Sequence, residues 1–180
     1  MLLTSNPGAA SGVNMWVLTG ANDPAADHKI VQLVKSASES HDRGALFSPD
    51  NRWFAYVSDQ KGKDEVYLRA FDPNFIAGSG DPSPGGEHAV SIGGGTGPEW
   101  SSDGKEIFYI APDGYIMAVV VSDKSKPGIP KRLFQVPPGV VHWEYDAQRQ
   151  RFLIPVASST ASGNLAPYRV VLNWTSLLKH

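Results

Sequence analysis

The chain has 180 residues, 41% of them hydrophobic, with 16 Lys and Arg against 18 Asp and Glu and a formal net charge of −2. That length can bury one sizeable core, and the near balance of charge gives no general attraction to nucleic acid or to an anionic membrane surface. Zero cysteines exclude a disulfide framework, a thiolate nucleophile and a cysteine zinc site, while 18 Gly and 14 Pro suit many turns rather than long helices.

In chain order, residues 1–12 are rich in Gly, Ala and Ser and are expected to be disordered. They have neither the basic start nor the apolar run of a secretory signal, and no stretch of the chain is long enough to span a membrane. Residues 13–19 and 29–35 read as two strands around a loop marked by Asn22-Asp23-Pro24. Strands are expected over 43–47, 53–58, 65–71 and 88–92, with a Pro/Gly/Ser-rich loop over 72–86. A second series follows over 96–100, 106–111, 115–121 and 132–136, with Pro112-Asp113-Gly114 as a hairpin signal. The last series covers 141–145, 151–156 and 168–174, with a Ser/Ala/Gly loop over 157–167 and a short helical turn over 175–180.

The organising stretch is FSPDNRWFAYVS, residues 47–58. Ser48-Pro49-Asp50-Asn51 is turn chemistry, and Trp53 to Val57 is an unbroken apolar run, as in a strand covered on both faces. The pattern returns as WSSDGKEIFYIA over 100–111, with Asp50 and Asp103, and Tyr56 and Tyr109, each 53 residues apart. A degraded third copy runs from Trp143 to Ile154. Repeats of this length built from short strands point to propeller blades.

These residues resemble the WD40-like repeat of TolB-type β-propellers. KDEVYLRAF, then GGGTGPEWSSDGKEIFYIAPDG, then VVLNWTSLLKH also resemble the C-terminal part of the propeller domain of some bacterial serine/threonine kinases. The resemblance implies an all-β fold: a partial β-propeller of about three and a half four-stranded blades. Residues 13–35 would be an outer half-blade, 43–92 and 96–136 full blades, and 141–174 an incomplete one. It also implies a periplasmic or extracytoplasmic setting, although no signal peptide accompanies it.

Each residue that could carry chemistry has a plainer structural role beside it. Gly93-Gly94-Gly95-Thr96-Gly97 lacks the Lys and the following helix of a phosphate loop, and reads as an interblade linker. Asp50 and Asp103 belong to different blades, so each is expected to close its own turn rather than to form a carboxylate pair. His28, His41, His88, His142 and His180 show no HxH or HExxH spacing, so no metal is expected. Asp59, Asp64 and Glu65 flank one hairpin without forming an EF-hand loop, and G-x-S-x-G is absent. Most aromatics are expected in the core. Trp143 is the exception, and with His142 it forms the possible binding surface.

The expected function is therefore a non-catalytic propeller module for protein–protein interaction or ligand sensing, with no cofactor. One alternative is the propeller portion of a larger enzyme, a prolyl-oligopeptidase-like peptidase or a receptor kinase. Another is a glycan or small-molecule binder. The expected partner is a second copy: a homodimer in which the N-terminal outer strands of one chain complete the C-terminal inner strands of the other. Nucleic acid and membrane insertion are not expected.

Overall fold

The structure, a computed structural model, describes residues 2–5, 14–18, 29–34, 40–72, 81, 83–140, 142–155 and 169–171. The described residues form fourteen strands and no helix. The first sheet holds β1 (Leu2–Ser5), β2 (Asn14–Leu18) and β3 (Ile30–Val34). The second holds β4 (Asp42–Phe47), β5 (Trp53–Ser58), β6 (Glu65–Ala70) and β7 (Glu87–Ala89). The third holds β8 (Thr96–Trp100), β9 (Glu106–Ile110), β10 (Tyr115–Val120) and β11 (Lys131–Gln135). The fourth holds β12 (Glu144–Asp146), β13 (Arg151–Ile154) and β14 (Arg169–Val171). Every sheet is an antiparallel meander in chain order, and the sheets stack face to face as propeller blades do.

The apolar run of β5 is explained by burial on both faces. Phe54 and Tyr56 turn toward the first sheet and pack with Met15, Leu33 and Val34, while Ala55 and Val57 turn toward the third and pack with Trp100, Ile107 and Tyr109. The period of two repeats one sheet on. Ile107 and Tyr109 of β9 face back to the second sheet, and Phe108 faces forward to Phe152 and Ile154 of β13. Tyr56 and Tyr109 are each 1% exposed and hold equivalent places. Burying each such side chain contributes about 1.5–3 kcal/mol.

The ladders match residue for residue. Arg43 pairs with Val57, Leu46 with Ala55 and Phe47 with Phe54; 53 residues later Thr96 pairs with Ile110, Glu99 with Phe108 and Trp100 with Ile107. Both inner ladders slip at the same point, where Gly44 and Gly97 take φ of 62° and 60°. A bulge there needs a left-handed residue, which glycine supplies without a steric penalty. In the third copy Tyr145 pairs with Phe152 and Glu144 with Leu153. Tyr145 thus stands at the place of Trp100, and Trp143 two residues earlier, at the place of Pro98.

Three expectations need correction. Residues 1–12 are not uniformly disordered: Leu2–Ser5 pairs along its whole length with β2, from Leu2 opposite Val17 to Ser5 opposite Asn14. Its ladder satisfies backbone groups that a free terminus would leave to water. Residues 13–35 are not an outer half-blade either. β1 and β2 lie against β4 just as β4 and β5 lie against β8, so β1 is innermost and β2 and β3 come second and third. The strand expected over 88–92 is Glu87–Ala89, because the amides of Val90 and Ser91 both turn to the carbonyl of Val66. The loop at 157–167 and the turn at 175–180 lie outside the described residues.

Candidate binding surface

Strands β1, β4, β8 and β12 touch one another from sheet to sheet, so they surround the axis of the stack. The end at which β4, β8 and β12 begin gathers the β5–β6 hairpin, the linker before β8, the β9–β10 hairpin and the segment after β11. A groove of ≈ 410 Å³ opens there, between Ile110 to Gly114 and Gln135 to Val140, with Thr96 on its inner side.

Most charge at this end is paired. His41 Nδ1 lies 2.9 Å from Asp59, whose carboxylate also accepts the His41 amide at 2.7 Å and is held below the usual range by that bond. Arg43 donates to Asp64, and Lys63 sits 3.3 Å from Glu65, which accepts from the Ser91 hydroxyl. Arg132 reaches Asp113 at 2.6 Å while covering the ring of Tyr115. Asp59, Asp64 and Glu65 are therefore held by His41, Arg43 and Lys63 in turn. Among the described residues no group of three metal-ligating side chains converges.

One set of positions on the inner strands differs. Leu46, Glu99 and Glu144 occupy the same register place on β4, β8 and β12. Burial, and then the negative charge of Glu144, push the Glu99 carboxyl up to about 7. Glu144 is exposed and lies 3.5 Å from His142 Nε2. Sequence reading did not single out Glu99. The signal was present, because the 53-residue offset sets it on Leu46, but the two side chains share no chemistry.

The predicted surface residues separate. His142 is exposed, but Trp143 is a core residue, 4% exposed and packed on Phe152 with ring centroids 5.7 Å apart. Its place on the ladder turns it toward the third sheet, so it offers no platform to solvent. Its indole Nε1 is buried without a partner and faces Gly97, where a Cβ would come within 2.8 Å of it.

The other candidates stay apart. The hydroxyl of Ser48 donates to Asp50 at 2.5 Å, and Asp50 accepts the Arg52 amide; Ser101, Asp103 and Lys105 repeat this. The two aspartates thus close separate turns at the opposite end of their sheets. Gly95 packs against the ring of Tyr109 and donates its amide to the carbonyl of Asp64, as a linker does. His88 stacks beside Trp53, and His28 and His180 lie outside the described residues.

No known family and no curated protein matches the sequence. Solved structures do. An oligogalacturonate lyase in complex with manganese aligns at 13% identity and a TM-score of 0.51, over 78% of this chain and 37% of its own. A protein assigned as TolB from Agrobacterium tumefaciens aligns at 16% identity and 0.47, over 78% and 49%. TolB from Acinetobacter baumannii aligns at 14% and 0.36, over 89% and 46%. The chain thus spans 37 to 49% of the length of these three structures. At such identities the likeness speaks of architecture alone, and with the stacked meanders it establishes the fold: this chain is all-β and forms part of a β-propeller.

Proposed function

We propose that the chain is a non-catalytic propeller module that recognises a protein partner or a ligand at the end where β4, β8 and β12 begin. The observation that carries this is the groove between the β9–β10 hairpin and the segment after β11, at the end of the sheets where the inner strands carry Leu46, Glu99 and Glu144 at one register position. Elsewhere at that end Asp64, Glu65 and Asp113 are engaged by Arg43, Lys63 and Arg132, and Asp59 by His41, which leaves shape and these inner positions to discriminate between partners. Propellers host many activities, so the site rather than the fold bears the argument. The proposed setting is extracytoplasmic, where a cysteine-free chain is indifferent to oxidation. The test is affinity capture from the source organism with the wild-type chain and with Gln135→Trp, which narrows the groove. A partner lost only from the variant is expected. Partners retained equally by both would rule out the groove, and turnover of any substrate by the isolated chain would rule out the non-catalytic reading.

One observation favours a second reading, the propeller portion of a larger enzyme. Burial, and then the charge of Glu144, raise the Glu99 carboxyl to about 7, a raised carboxyl of the kind that acid–base enzymes use. Loss of activity in Glu99→Gln of the full enzyme, with folding intact, would replace the first reading by this one.

A further inference from the structure

Residues 121–130 join β10 to β11 at the end of the sheets opposite the groove, where Val120 pairs with Glu106 beside the Ser101 turn. Their sequence, VSDKSKPGIP, sets cations among turn residues. The connection is braced along its length. Asp123 accepts from the Ser125 hydroxyl at 2.6 Å and from the Ser125 amide at 3.1 Å, and the Lys126 amide returns to the Asp123 carbonyl at 3.0 Å. Lys124 Nζ donates to the carbonyls of Gly104 and Val121 and stands 5.5 Å from the centre of the Trp100 ring. The Gly128 amide donates to the Val120 carbonyl at 2.8 Å, and a Cβ on Gly128 would come 3.1 Å from that same oxygen. Pro127 and Pro130 fix their own φ on either side. A segment held this way has little conformational freedom left to lose on binding.

What the brace holds out is apolar. Ile129 is 82% exposed, more than any other large hydrophobic residue described, and Val120, whose carbonyl anchors Gly128, is 48% exposed. A single exposed isoleucine is ordinary on a protein surface. One set between two prolines on a braced segment is a preformed knob. The charges beside it are not matched. Lys105 stands 3.4 Å from Asp103, Arg132 is taken by Asp113, and Lys124 is bound to carbonyls. Lys126 and Lys131 are exposed and form no ion pair among the described residues, although the charge of Lys126 acts on Asp123. Ile129 therefore has such a cation three residues before it and another two residues after it.

We propose that this connection is a second docking surface, independent of the groove, and that its partner is a protein offering an aliphatic socket with carboxylates on the rim. The arrangement is that of a small interface, an apolar centre with a polar border. The unmatched lysines select the sign of the partner's rim and steer its approach in a salt-dependent way. A partner with a basic rim would meet like charge. An anionic lipid surface fits less well, because holding a chain there takes a cluster of about four to eight cations or a second apolar anchor. This segment brings one isoleucine and two unpaired lysines.

The test is selection from a phage-displayed library of random peptides on the full chain, after removal of phage that bind Ile129→Asp, followed by affinity measurements on the free peptides. The selected peptides should join aliphatic or aromatic residues to Asp or Glu. Their binding should weaken by about tenfold or more in Ile129→Ser, which adds no charge. It should also weaken with rising salt, and in the double variant Lys126→Glu with Lys131→Glu. Gln135→Trp, at the other end of the sheets, should bind as the wild type does. Ile129 is exposed, so neither of its substitutions should move the urea midpoint. Selection of no peptide that prefers the wild type, or of peptides without acidic residues, would overturn the proposal. Vesicles of phosphatidylserine that bind the wild type and not Ile129→Asp would overturn it too, and make the surface a membrane contact.

Discussion

Gly44 and Gly97 pose the same backbone problem in different surroundings. Both hold a positive φ at an inner-strand bulge, yet a Cβ on Gly44 would meet nothing within 4 Å, whereas one on Gly97 would meet the Trp143 indole at 2.8 Å. Gly44→Ala should therefore cost only the left-handed strain of an L-residue, about 1–2 kcal/mol. Gly97→Ala should cost that and the displacement of Trp143, for a total of about 2–4 kcal/mol with overpacking included. Chemical denaturation of both variants checks the difference, and equal losses would mean that Trp143 does not rest on Gly97. The two glycines were legible as repeat equivalents, but the consequence at Gly97 was not. Its partner comes from the third copy, whose Trp143 is flanked by His142 and Glu144 and so reads as a surface residue. Only the ladder, with Tyr145 at the place of Trp100, shows that Trp143 faces inward.

At the scale of the element, the turn after each inner strand is the unit that repeats best. The amides of Asn51, Gly104 and Arg149 return to the carbonyls of Ser48, Ser101 and Asp146 at 2.9, 3.0 and 3.2 Å. The first two turns were readable from Ser-x-Asp. The third was not, because Asp146 replaces the serine and recruits Arg149 and Arg151 instead. β1 was hidden for a related reason: four residues beside a Gly/Ala/Ser run carry no periodic signal, and only pairing with β2 makes them a strand. In the turns the carboxylates of Asp50 and Asp103 lie below their ordinary value of 3.8, chiefly through the hydroxyls of Ser48 and Ser101. Groups lowered in the fold contribute stability above that value and lose it as pH falls through their folded values. Acid should therefore weaken these turns only below about pH 4. Ser101→Ala should be less stable at pH 7 by about 1–2 kcal/mol, yet lose less between pH 5 and 2 than the wild type. Urea midpoints across that range would show it, and an unchanged acid limb in the variant would count against the hydroxyl as the cause.

For the whole molecule the question is what covers the outer face of the fourth sheet. Leu153 stands where the third sheet has Phe108 and the second has Ala55, which are 1% and 0% exposed because the next sheet covers them; Leu153 is 42% exposed. Beside it a cavity of ≈ 330 Å³ is lined by Glu144, Tyr145, Asp146, Arg151, Phe152 and Leu153. Apolar surface of this kind, next to a face built to receive another sheet, favours association. We propose that the 180-residue chain forms a homodimer, but not by the strand exchange that the sequence suggests. The first sheet has its own innermost strand, so it has no vacancy for an inner strand from the partner. The copies would instead stack the fourth sheet of one on the first sheet of the other, in a two-fold arrangement that repeats the seams within each chain. Two sets of four sheets fall at the upper end of the propeller range of about four to eight blades. Leu153→Arg places a charge in that interface while leaving the three internal seams untouched. Light scattering at micromolar concentration should give twice 19.4 kDa for the wild type and the single mass for Leu153→Arg. A monodisperse wild-type monomer would sink the dimer, and a Leu153→Arg variant that stays dimeric would place the interface elsewhere.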